Sequence, residues 1–189
     1  KSTLFRLLRG KVEADEALNG TITLRDTAYD LSNSEDRKKL GSFIRLAPQK
    51  FDEMLADNFT FKENLDLAQL PRYPDFSPFV ETAQIPPLVE RFGIQYDVPV
   101  GLLSGGQRQI LSILMALQKP ATILLMDEPT AALDEKNSAI VMRFLQGLLE
   151  EHKDLTIIII CHDRELVEQY AKKTYFNIDV RADNTRTIS

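Results

Sequence analysis

Two neighbouring carboxylates close an apolar run in this chain: Ile123-Leu124-Leu125-Met126 leads directly into Asp127-Glu128. Like charges side by side at the end of a buried strand raise each other's energy, and desolvation adds to the cost. A divalent cation offsets both. In that reading Asp127 holds Mg²⁺ through water and Glu128 faces an attacking water as general base. The competing reading makes both acids helix caps, but Pro129 and Ala131-Ala132-Leu133-Asp134 separate them from the next helical stretch.

A second stretch, Leu103-Ser104-Gly105-Gly106-Gln107-Arg108-Gln109, sits twenty residues upstream of this pair. Ser104 and Gln107 have the spacing of a capping box. That box leaves the two glycines unexplained, since each costs a helix start about 0.5–1 kcal/mol relative to Ala. Bare N–H groups at a helix N-terminus suit an anion, so the stretch predicts phosphate contact at Ser104, Gly105, Gly106 and Gln107. At the other end, Lys1-Ser2-Thr3 runs straight into an amphipathic stretch and matches the last residues of a G-x-x-x-x-G-K-[ST] phosphate loop. No glycines precede it. Either three common residues coincide, or the motif begins upstream of residue 1.

The elements that must position these groups alternate. Leu4, Leu7 and Leu8 have helical spacing before Gly10. Residues 20–31 alternate as one edge strand, 32–40 read as a short polar helix, and 43–47 as a strand. Thr60 and Glu63 form a capping box before a short helix, and the three prolines of 71–79 make a loop. A helix is expected from about 105 to 118, then a strand at 121–126, a helix from 134 to about 151, a strand at 156–160 and a helix from 163 to about 172. Apolar runs without alternation are strands buried on both faces, and strands alternating with helices make parallel βαβ units. The chain is α/β.

Composition narrows the function. With 189 residues the chain is long enough for one domain with a substantial core, or at most two small ones, and 43% hydrophobic with 27% charged residues is ordinary for a globular protein. A net charge of −5 and a pI near 5.2 argue against a phosphate-tracking surface for nucleic acid and leave room only for a local basic patch. The single cysteine, Cys161, excludes an intrachain disulfide framework. With one other histidine in the chain, His152, the Cys161-His162 pair makes a poor metal site. No apolar run approaches the ~20 residues a membrane span needs, and no signal peptide is visible.

These residues resemble the nucleotide-binding subunit of an ABC transporter. Residues 103–109 are similar to the family's signature, 123–130 to its Walker B strand with the catalytic glutamate, and 131–134 to its D-loop. Residues 157–163 are similar to its switch-histidine strand, and 46–51 to its Q-loop with Gln49. All five lie in the family's order, and 100–117 resemble in particular an importer-like bacterial group. Lys1-Ser2-Thr3 resembles the end of the Walker A motif, whose glycine loop and first strands would then lie upstream of residue 1. The resemblance implies a P-loop NTPase-like parallel sheet flanked by helices, one domain over 1–189 with a helical signature subdomain at about 60–105. It implies ATP and Mg²⁺ as cofactors. Lys1 would meet the β- and γ-phosphates, with Ser2 on Mg²⁺ and Thr3 beside them. Gln49 would reach Mg²⁺ and the lytic water, Asp127 the metal, Glu128 the water and His162 the γ-phosphate. Ser104, Gly105, Gly106 and Gln107 would close on a facing subunit's ATP, with Asp134 supporting that site.

The implied partners are a second ATPase subunit, identical or paired, and membrane permease subunits, at the inner face of the cell membrane and without nucleic acid. Phe51, Met54, Leu55, Phe59 and Phe61 fall where the family receives the permease, although they could equally be local core. Two other readings stand beside this one: a soluble ABC-type ATPase of nucleic-acid repair or translation, and a binding module without hydrolysis.

Overall fold

The computed structural model describes residues 5–6, 8–9, 20–70, 85–170, 178–180 and 186–188. Lys1, Ser2, Thr3 and the proline-rich 71–79 lie outside them. Where one edge strand was expected over 20–31, the chain folds back as a hairpin of β1 (Thr21–Leu24) and β2 (Thr27–Asp30). Arg25 and Asp26 turn the corner with φ of 49° and 64°. Two left-handed residues match the twist of a two-residue hairpin, but that turn usually announces itself through Asn or Gly, and Arg25 carries no such signal.

Helix α1 (Ser34–Ser42) starts on Asn33, whose side chain accepts the N–H groups of Glu35 and Asp36. It leads into β3 (Ile44–Ala47) and a 3₁₀ turn over Phe51–Met54. Helix α2 (Phe61–Gln69) carries the expected Thr60–Glu63 box. Two further 3₁₀ turns, Pro87–Phe92 and Val100–Leu102, precede α3 (Gly105–Leu117). Then come β4 (Ile123–Asp127), α4 (Glu135–Glu151), β5 (Thr156–Ile160) and α5 (Arg164–Tyr170). A small antiparallel pair, β6 (Ile178–Val180) with β7 (Arg186–Ile188), follows.

Strands β3, β4 and β5 form a parallel sheet in that order, with Ile44 opposite Ile123 and Leu125 opposite Ile158. Its side chains alternate between two cores. Leu124, Met126, Ile157 and Ile159 pack with α2, α3 and α4, whereas Ile123, Leu125, Ile158 and Ile160 pack with Phe5, Tyr29 and Leu40 on the opposite face. Leu124, Leu125 and Met126 are fully buried. Burying each such side chain contributes about 1.5–3 kcal/mol, and because the strand is covered twice, all four apolar residues of β4, Ile123 to Met126, take part.

The bend from Ala56 to Thr60 is fixed by a buried amide. Asn64 Oδ1 accepts the Ala56 N–H (2.8 Å), while Nδ2 donates to the carbonyls of Ala56 (3.1 Å) and Thr60 (2.9 Å). Main-chain bonds from Val100 to Phe59 O and from Gly101 to Asp57 O tie this bend to the approach of α3. Arg108 of α3 reaches across with Nη2 2.9 Å from Asp52 and 2.8 Å from Asp57. Helix α3 is thereby bound to the segment that follows Gln49.

Candidate functional site

Three loops leave the carboxyl ends of the three parallel strands side by side. Gln49 stands two residues past β3, Glu128 one past β4 and His162 two past β5. Ligands in open α/β sheets bind at this edge. Glu128 donates its N–H to Ile160 O (2.8 Å) and then turns with φ 49°, a left-handed conformation that a glutamate adopts only at a cost. The turn brings its carboxylate to the middle of the group. Oε1 lies 2.9 Å from His162 Nε2, and Oε2 accepts a long bond from Gln49 Nε2 at 3.5 Å. Its side chain is 25% exposed, so water reaches it.

Asp127, half-buried at the end of β4, lines a cleft of about 200 Å³ with Gln49, Pro48, Arg6 and Arg9. Among the described residues no cluster of three or more His, Cys, Asp or Glu could cage a metal. Mg²⁺ needs no such cage, because it keeps several waters and takes one or two protein oxygens plus substrate phosphates. The Asp127 carboxylate and the Gln49 amide are the hard oxygen donors it prefers, and they line one cleft.

The first turn of α3 has both features of its capping box: Gln107 N–H to Ser104 Oγ (3.3 Å) and Ser104 N–H to Gln107 Oε1 (3.1 Å). Gln107 Nε2 also reaches the carbonyls of Phe92 and Gly93. The glycines acquire a packing reason absent from the sequence reading. A Cβ at Gly106 would fall 2.8 Å from Asn137 Oδ1 and 3.1 Å from its carbonyl, and one at Gly105 would stand 3.0 Å from Leu133. The Gly106 N–H donates to Asn137 Oδ1 (3.1 Å). In this state the N–H groups of Gly106 and Gln107 are therefore taken internally.

Asp134 caps α4 by accepting the Asn137 N–H at 2.7 Å. One residue, Asn137, thus joins the Ser104 loop to the Asp134 loop. Sequence reasoning passed over it, and its position three residues after a capping Asp was the one available signal. The structure brings Gln49, Glu128 and His162 together, with Asp127 alongside Gln49. It places Ser104, Gly105, Gly106, Gln107 and Asp134 in a second group, and Lys1, Ser2 and Thr3 lie outside the described residues.

Residues 1–131 match the family description "ABC transporter". The chain belongs to the ABC transporter family. Among its relatives, the phosphonates import ATP-binding protein PhnC of Alcaligenes faecalis is 35% identical over 90% of this chain and 62% of that protein. The arabinose import ATP-binding protein AraG 2 of Burkholderia cenocepacia is 31% identical over 100% of this chain and 36% of that protein. This ABC transporter chain thus spans about two thirds or less of these relatives. Among solved structures, cbiO1 of Clostridium perfringens, part of the complex cbiONQ, superposes with a TM-score of 0.66 at 25% identity, over 89% of this chain and 65% of that one. The dimeric cassette MJ0796 bound to ADP and Pi gives 0.55 at 23%, over 87% and 71%, a likeness of fold. The ABC transporter cassette fold, with its parallel sheet flanked by helices, is therefore the architecture seen here.

Proposed function

We propose that the chain binds and hydrolyses ATP as the motor part of an ABC transporter, working as a head-to-tail pair of ATPase subunits beneath membrane permease subunits. The observation that carries this is the convergence of Gln49 and His162 on Glu128. A carboxylate with a hydrogen-bonding group at each oxygen has its plane and rotamer fixed, which is what a base must have to take a proton from one water in one direction. Both oxygens are engaged here. To accept that proton, Glu128 has to exchange either the long Gln49 contact or the His162 contact for the water, and the 3.5 Å bond is the weaker.

Asp127 and Gln49 are suited to hold Mg²⁺, which when bound would neutralise charge on the phosphates. Lys1, Ser2 and Thr3 belong to the phosphate side of the same site, and His162 would turn from Glu128 toward the γ-phosphate. Ser104, Gly105, Gly106 and Gln107 close on the facing subunit's ATP, with Asp134 behind them. Catalysis of this kind is positioning and electrostatic stabilisation more than covalent chemistry.

Residues 60–105 act as the helical signature subdomain of the single domain. Met54 (43% exposed) and Phe59 (44%) offer an apolar contact for the permease, whereas Phe51 and Phe61 belong to the interior. No helix among the described residues is long and apolar enough to cross a membrane, which suits a subunit held at the inner face by its partners. The import names of several relatives support transport over the nucleic-acid reading.

The test is Glu128→Gln. It keeps the shape and removes the base, so the variant should bind MgATP, dimerise in gel filtration and retain its nucleotide. Undiminished turnover would assign the base elsewhere.

A further inference from the structure

A cavity of about 380 Å³ runs along the edge of β3 that no described strand pairs. Four cations line it, Arg9, Arg37, Lys38 and Arg45, with Met54 and Ala116 among its apolar walls and no carboxylate. In a chain of net charge −5 this is an unusual concentration of one sign. The other described cations with ion pairs show the contrast: Arg25 has Asp154, Lys50 has Glu53, Lys62 has Asp66, and Arg108 has Asp52 and Asp57. Among the described residues none of the four pocket cations makes a close ion pair, although the Asp30 carboxyl, held below its ordinary pKa by hydrogen bonds from Ser32, is also near enough to feel the Arg37 charge.

Two of the guanidinium groups are already aimed. Arg37 Nη1 donates to the carbonyls of Leu31 (2.6 Å) and Ser32 (2.9 Å), and Arg45 Nη1 to those of Ser42 and Ile44 (both 3.0 Å). These bonds fix the planes of the two forks, each through Nη1, and both residues line the cavity. Arg45 Nε is buried without a partner. Burial also lowers the Arg45 pKa from its ordinary value, the direction expected of a cation stripped of water and given no anion in return. A buried charge without a counter-charge is costly, and an oxyanion in the cavity would offset that cost through the outer edge of the guanidinium, since Nε itself is closed off.

We propose that this pocket binds a phosphate ester, its anionic group held by Arg45, Arg37 and Lys38 and its organic part resting on Met54 and Ala116. Planar forks grip phosphate oxygens two at a time, which a carboxylate-free pocket with arginines on both flanks permits. The volume falls within the usual range of small-molecule sites. Arg9 and Leu46 also line the cleft at Asp127, so the ester would lie next to the nucleotide site without sharing Glu128 or His162. The ester can be a soluble metabolite or a phospholipid headgroup.

The experiment needs neither nucleotide nor Mg²⁺ and is therefore independent of the ATPase reading. The ¹⁵N-labelled protein is titrated with glycerol 3-phosphate while the arginine Nε–H resonances are followed, and binding to phosphatidylglycerol vesicles is compared with binding to phosphatidylcholine vesicles. Saturable shifts at Arg45 and Arg37, with Arg25 and Arg108 still, support a soluble ester. Selective binding to phosphatidylglycerol vesicles without those shifts supports the headgroup. Arg45→Gln should weaken either response about tenfold, and Arg37→Gln, on a half-buried helix position, gives a second variant should the first fold poorly. No response in either arm overturns the proposal. So does an equal response to acetate, or binding undiminished in both variants.

Discussion

The backbone at Glu128 allows a test that separates conformation from chemistry. Glu128 sits at φ 49°, and the following Pro129 narrows its choices further. A left-handed conformation costs a non-glycine residue about 1–2 kcal/mol. Glycine escapes that cost but gives up about 0.5–1 kcal/mol to its freer unfolded chain. Glu128→Gly and Glu128→Ala both remove the contacts to His162 and Gln49, so those losses cancel when the two variants are compared. What remains is about 1.5 kcal/mol of relieved strain against about 0.75 of entropy, leaving Gly ahead by ~0.75 kcal/mol. For a domain of this size that is roughly 1.5–3 °C in Tm. At an ordinary position the order reverses and Ala is the more stable. Thermal melts of the two proteins decide, and both should have lost ATP turnover while keeping nucleotide binding. An Ala variant as stable as the Gly variant, or more so, would refute a left-handed Glu128 and with it the account of how the carboxylate reaches His162.

The remaining expectations follow from neighbouring contacts. Gly106→Ala drives a methyl group to within 2.8 Å of Asn137 Oδ1 and 3.1 Å of its carbonyl, so urea unfolding should show a loss of about 1–2 kcal/mol despite the better helix propensity of Ala; an unchanged midpoint would contradict the close approach. Hydrogen bonds from Thr60, its N–H first, hold the Glu63 carboxyl below its ordinary pKa. That stabilisation is present above the unfolded value of about 4.3 and disappears as pH falls through the folded one. Glu63→Gln should accordingly flatten the acid limb of the Tm profile, and a parallel profile would count against the box. If sites are shared between chains, Lys1→Ala and Ser104→Arg proteins should each fail to dimerise with MgATP yet form heterodimers when mixed. Mixing that restores nothing would place both ligands on one chain's nucleotide.

Helices α3 and α4 and strands β3, β4 and β5 could be read within a residue or two, because their signals are local: an apolar run for each strand, a capping residue for each helix start. Ser104 and Asp134 each cap the helix they precede in the sequence. The hairpin escaped because Arg25, the first of its two turn residues, is not one of the types that usually mark such a turn. The reason for the glycines at 105 and 106 escaped for a different cause. Their neighbours, Leu133 and Asn137, come from another helix start about thirty residues on, and no local pattern contains that approach. The same holds for Met54 and Phe59, whose exposure beside the buried Phe51 and Phe61 follows from which side of a short turn faces α3. The convergence on Glu128 is likewise a product of sheet order, which three separate motifs cannot express.

The amide of Asn64 has a chemical lifetime as well as a structural one. Hydrolysis of an asparagine side chain releases ammonia and leaves aspartate, and here the new oxygen would face the carbonyls of Ala56 and Thr60 where Nδ2 now donates to them. Acceptor would meet acceptor in a fully buried place. The reaction begins with attack by the next backbone nitrogen, and helical geometry in α2 holds the Leu65 nitrogen away from that path. While folded, the protein therefore guards the atom on which its 56–60 bend depends; once unfolded, the chain loses that guard. Each excursion through heat converts a fraction of molecules into a form that cannot rebuild the bend, so reversibility should decline with time spent unfolded and not with the number of melts.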